Sequence, residues 1–139
     1  DSEFRRFNIH LVVGVFNKQQ KKIKKTIKGI KNVKLYQNLD NLNYLLNRSD
    51  TAIISGGTVL LEAIAAGLKI LVINQSINQS YNSIYLKKKN FLDVMNVKDI
   101  NKSTILKFFF KKNNMPRKNI IDYNGTKRIR KFLMQNETK

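Results

Sequence analysis

The stretch from Asp50 to Gln75, "DTAIISGGTVLLEAIAAGLKILVINQ", limits the possible folds more than any other part of the chain. "TAIIS" is short, apolar and β-branched, and reads as a buried strand. "TVLLEAIAAG" has helical spacing and stops at Gly67, a residue suited to closing a helix. "KILVIN" is a second buried strand. Strand, helix and strand in this order form a βαβ unit, whose two strands run parallel.

The alternation continues on both sides of this stretch. "FNIHLVVGV" (Phe7 to Val15) reads as a buried strand, and "NKQQKKIKKTIKGI" as an amphipathic helix with Ile23, Ile27 and Ile30 on one face. "NVKLY" is a strand. "DNLNYLLNRS" is a short helix carrying Leu42, Leu45 and Leu46 behind a cap at Asp40 or Asn41. "NQSYNSIYLKKKN" is a helix and "FLDVMN" a weaker, peripheral strand. Two helices follow, "NKSTILKFFFKKNN" capped by Asn101 or Ser103 and "GTKRIRKFLMQ", with the only proline, Pro116, in the loop between them. No repeat or Ser/Gly linker divides the 139 residues. The expectation is one domain over residues 1–139, of α/β class: a Rossmann-like three-layer fold with a mostly parallel sheet. Such sheets bind ligands at the carboxyl ends of their strands. The loops to inspect are "GVFN", "YQNLD", "SGGT" and "NQSINQ".

Composition excludes several classes. With 42% hydrophobic residues the chain is globular, and no run approaches the ~18 apolar residues of a membrane span. The amino end has no signal-peptide layout, so a cytoplasmic setting is expected. Without cysteine there is no disulfide framework and no thiolate metal site. Lys and Arg number 27 against 9 Asp and Glu, a formal charge of +18. The basic runs "KKIKK", "LKKKN", "FFFKKNN" and "TKRIRK" recur beside helical periodicity, as solvated faces do. A nucleic-acid-binding module is the rival reading, but "KKIKK" and "TKRIRK" lack interleaved aromatic residues for base stacking.

"SGGT", Ser55 to Thr58, joins a strand to a helix. Gly56 and Gly57 let a ligand approach the main chain, and free amides at the helix start favour an anion. Thr58 either caps the helix or offers its hydroxyl to a phosphate. Glu62 lies one turn later on the same face, where a carboxylate can accept both hydroxyls of a ribose. Simple turn chemistry for Gly-Gly, and a helix-dipole role for Glu62, account for the local pattern equally well. The spacing matches neither a Walker A loop nor G-x-G-x-x-G.

The longer run "LLNRSDTAIISGGTVLLEAIAAGLKILVINQSINQSYNSIYL" resembles the carboxyl-terminal domain of GT-B nucleotide-sugar enzymes. "VVGVFN", "INQSYN" and "IDYNGTKRIRKFL" make it more similar to PseG-like UDP-sugar hydrolases of nonulosonate biosynthesis than to MurG-like glycosyltransferases. The resemblance spans Phe7 to about Leu133. It implies UDP-sugar binding, with Ser55, Gly56, Gly57 and Thr58 toward the diphosphate, Glu62 toward the ribose, and Asn78 and Gln79 toward the sugar or phosphate. Asn17 would contact uracil or phosphate, and Arg128 is a weaker match. Locally, Gln79 and Asn82 also read as helix decoration, Asn17 as a turn residue and Arg128 as one of several surface cations. Two departures stand out: the family's "GvP" is Gly67-Leu68-Lys69 here, and its "DGkG" is "DYNG", which removes support for a sugar contact from Asp122.

In such enzymes the catalytic base comes from the amino-terminal domain, a His near its start in the hydrolases. The single His10, in mid-strand, reads as structural, and no Ser-His-Asp set or metal cluster is present. No catalytic residue, cofactor or metal is expected in this chain. It reads as the donor-binding half of an enzyme, either a fragment or a subunit, whose amino-terminal GT-B domain is supplied in cis or by a separate chain.

Overall fold

A computed structural model describes residues 2–74, 77–112 and 121–136, apart from the side chains of 77–82 and 136. Pro116 and Gln75 lie outside the described residues. The chain divides into two compact units, Asp1–Leu45 and Leu46–Lys139.

The first unit pairs β1 (Ile9–Val13) with β2 (Val33–Gln37) in parallel, joined through α1 (Gln20–Ile27). One face of this pair carries His10 and Val12 opposite Lys34 and Tyr36. His10 and Lys34 are exposed, and in β1 only Val13 is buried. The expected buried strand is therefore a half-covered one. Its alternation is strict (His10 and Val12 outward, Ile9, Leu11 and Val13 inward), a period hidden by valine at an outward position. His10 Nδ1 lies 3.1 Å from the Tyr36 hydroxyl, and Lys34 Nζ lies 5.2 Å above the Tyr36 ring. The His10–Tyr36 contact runs across the two strands and the Lys34–Tyr36 contact along β2, both on one face of the pair.

The second unit begins within α2 (Asn43–Leu46), one turn whose start is held by Asn41 Oδ1, which accepts from the Asn43 amide at 3.3 Å. Its sheet has the order β3 (Thr51–Ile54), β4 (Lys69–Asn74), β5 (Asp93–Asn96), all parallel, with Ile54 opposite Val72 and Asn74 opposite Asn96. In β4, Ile70, Leu71 and Val72 are all at most 1% exposed. Successive strand residues point to opposite faces, so both faces of the sheet centre are covered. Helix α3 (Val59–Ala65) packs over β3 and β4, and α4 (Ile77–Lys88) over β4 and β5. Leu60, Ala63, Ile64, Leu68, Ile70, Val72, Ala52 and Leu92 form the core. Gly67 follows α3 with φ of +75°, as a left-handed helix terminator should.

Helix α5 (Lys102–Phe110) starts at Asn101, not Ser103. The Asn101 side chain accepts from the Thr104 amide at 3.0 Å, and Thr104 Oγ1 accepts from the Asn101 amide at 3.0 Å. This is a capping box with threonine at the third position. Helix α6 (Gly125–Asn136) ends the described chain. Its first turn is anchored by Asp122, which accepts from the Asn124 amide and from Arg128. No described helix is long and apolar enough to cross a membrane.

Candidate functional site

The turn from Ser55 to Thr58 leaves β3 at its carboxyl end and enters α3 directly. Parallel pairing sets the carboxyl end of β4 beside it, so α4 starts from the same edge of the sheet. Neither Gly56 nor Gly57 has the positive φ that would require glycine; in this chain those glycines are Gly29 and Gly67. A Cβ built on Gly57 would meet nothing within 4 Å. The missing side chain at Gly57 thus keeps open space in front of the main chain and relieves no backbone strain.

The entry to α3 is tight. The amides of Leu60 and Leu61 already donate to the carbonyls of Gly57 and Thr58, each at 3.0 Å. The amides of Gly56, Gly57, Thr58 and Val59 donate to no described acceptor. Thr58, at the cap position with α-helical backbone angles, makes no side-chain capping bond. Its hydroxyl cannot easily cap from that conformation, because a capping residue normally takes extended angles. Of the two roles read for Thr58 from sequence, the cap is not formed, and the hydroxyl has no described partner.

Glu62 is exposed, and its carboxylate makes no hydrogen bond or ion pair with any described residue. Its helix buries Leu60, Ala63 and Ile64. Leu61, 58% exposed, lies on the outer side beside Thr58 and Glu62. Sequence reasoning did not single it out; the helical offset of three from Thr58 was the available signal. In a chain with three times as many cations as anions, an unpaired carboxylate one turn after an unpaired hydroxyl is unusual.

The other sequence-derived candidates divide. Ser55 is half-buried at the end of β3. Asn78 and Gln79 stand in the first turn of α4, with side chains outside the description. At the strand edge below them, Asn74 Oδ1 accepts from the Ser83 hydroxyl at 3.1 Å, and Ser83 is fully buried. Asn17 belongs to the first unit, where its Oδ1 accepts from the Gln19 amide at 2.8 Å in a local turn. Nearby, Gln20 Nε2 donates to the carbonyls of Gly14 and Val15, and Gln20 Oε1 accepts from Gln37 Nε2. Arg128 is held by Asp122 at 2.6 Å. That guanidinium, with the Asn124 amide, keeps the Asp122 carboxyl below the usual aspartate range. No group of three or more metal-ligating side chains occurs among the described residues.

Lys69 has a structural role. Its ammonium donates to the carbonyls of Phe109 and Lys111 at 3.1 and 2.7 Å and lies 4.8 Å above the Phe108 ring. It closes the carboxyl end of α5 at the far edge of the sheet from the SGGT turn. Burial lowers its pKa from the ordinary 10.5, with Lys111 adding to the effect and Asp93 opposing it.

Comparison with known proteins bears on the fold. Over 77% of its length the chain superposes on the glycosyltransferase SnogD from Streptomyces nogalater, with a TM-score of 0.53 and 18% identity. The chain shares a glycosyltransferase's fold. It spans 35% of SnogD. In sequence, 91 residues are 30% identical to the uncharacterized protein MJ1062 of Methanocaldococcus jannaschii, covering 63% of this chain and 19% of that protein. No family model matches.

Proposed function

We propose that this chain is the nucleotide-sugar-binding part of a GT-B enzyme and takes the diphosphate of a UDP-sugar on the turn from Ser55 to Thr58. One observation carries the reading. The amides of Gly56 to Val59, the Thr58 hydroxyl and the Glu62 carboxylate are all unsatisfied by described groups, within one strand–turn–helix unit. Polar groups left open in this way are matched to a ligand with acceptors at one end and vicinal hydroxyls at the other. A diphosphate followed by ribose has that order of groups. Gly57 admits the phosphate, Thr58 donates to it, and Glu62 accepts from the ribose diol. Asn78 and Gln79 are proposed to meet the sugar or the phosphate from the neighbouring helix.

The parent reaction is proposed to be hydrolysis of a UDP-amino-sugar, on the resemblance of "VVGVFN", "INQSYN" and the closing helix to PseG-like enzymes. Transfer to an acceptor is the second reading, favoured by the fold shared with SnogD. In both, the base or acceptor site belongs to an amino-terminal domain, and this chain alone binds without turnover. Calorimetric titration with UDP, UMP and ADP tests the proposal. UDP should bind best, UMP more weakly for lack of the β-phosphate, and ADP more weakly for lack of uracil. Equal affinities for UDP and ADP would remove the uridine assignment, and no binding of either would remove the site.

A further inference from the structure

Helix α6 carries a pattern that the nucleotide site does not use. Its twelve residues include Lys127, Arg128, Arg130 and Lys131 and no acid. Wound at about 3.6 residues per turn, Phe132, Ile129 and Leu133 share one arc, with Arg128 on one flank, Arg130 on the other and the two lysines behind. These three apolar side chains are 66%, 63% and 55% exposed, so the stripe does not serve the core of the unit. Arg128 is steadied by Asp122, which fixes the first turn of the helix.

We propose that α6 is an interfacial helix that lies along an anionic lipid surface. The stripe enters the boundary between headgroups and acyl chains, while the flanking arginines and the lysines reach up to the phosphates. Charge complementarity selects this partner. Cations flank the stripe on both sides, as a headgroup layer surrounding a half-sunk helix requires, and the chain's +18 charge attracts it toward such a surface. Nucleic acid would engage the cations and leave the stripe in water. The helix is too short to span a bilayer, and its binding is reversible and salt-dependent.

The chain has no tryptophan, so Phe132→Trp places a single reporter on the stripe. Its emission should shift to the blue with vesicles of phosphatidylcholine plus phosphatidylglycerol, and not with phosphatidylcholine alone. In co-sedimentation, Ile129→Asn/Leu133→Asn should weaken binding to the anionic vesicles at least about tenfold, the scale of losing two buried aliphatic side chains. Replacing Lys127, Arg130 and Lys131 by Gln should weaken it comparably, and circular dichroism should show both variants folded. The proposal is overturned if emission does not move, or if the apolar variant binds as well as the parent chain, which would leave charge alone. It is equally overturned if RNA or self-association shifts the emission and vesicles do not.

Discussion

Glu62 and Gly57 separate binding from stability. The Glu62 carboxylate is exposed and partnerless among the described residues, so Glu62→Ala should leave the urea midpoint unchanged while weakening UDP by about 1–3 kcal/mol, the range for a lost hydrogen bond to a charged group. Unchanged UDP affinity would take Glu62 out of the site. Gly57→Ala meets open space at an ordinary φ, and removing a glycine from the unfolded chain should stabilise by about 0.4–1 kcal/mol. The same methyl group would stand where the phosphate is proposed to approach, so UDP affinity should fall. A stabilised variant with undiminished affinity would move the diphosphate elsewhere. Lys69 gives a pH test. Its folded pKa is lowered, so the unfolded chain holds more protons between that value and 10.5. Stability should therefore rise as pH climbs through this alkaline window. Other lysines contribute too, so the measurement is the difference from Lys69→Met, whose rise should be shallower.

At the scale of elements, the legible parts were those governed by local rules. β4 was read over the residues it occupies, because the apolar run Ile70 to Ile73 follows a helix-closing glycine. The left-handed Gly67 and the edge position of β5 likewise follow from local sequence. Caps were less legible. Asn101 and Ser103 were equal candidates, and only the reciprocal bonds with Thr104 distinguish them. Asn101→Ala should cost about 0.5–2 kcal/mol by urea denaturation, with Asn101→Asp retaining most of the stability because it keeps the acceptor. A cost near zero for Asn101→Ala would mean that α5 is held by its packing and by Lys69. Thr58 shows the reverse case: a residue type that caps well does not cap when its own backbone is helical.

For the whole molecule, charge is the dominant physical feature. A formal +18 on 139 residues strains the compact state by self-repulsion. Raising ionic strength from about 0.01 M to about 0.15 M shortens the screening length from about 30 to about 8 Å. The melting temperature should rise over that interval, with sucrose of equal osmolality as control. No rise with sodium chloride would show that the cations are spaced widely enough on solvated faces to ignore one another. The lipid proposal carries the opposite salt dependence, so the two effects are distinguishable in one series of buffers.

The sequence alone determined the order of strands and helices, the parallel βα logic and the place of the turn from Ser55 to Thr58. Each of these depends on the period of apolar residues or on glycine's backbone freedom, both written in neighbouring positions. Tertiary structure alone decided that His10 and Val12 face outward, that Lys69 closes α5, and that the Glu62 carboxylate and the Thr58 hydroxyl have no partner among the described residues. Exposure and hydrogen-bond supply depend on groups tens of residues away, and no local pattern encodes which of them arrive.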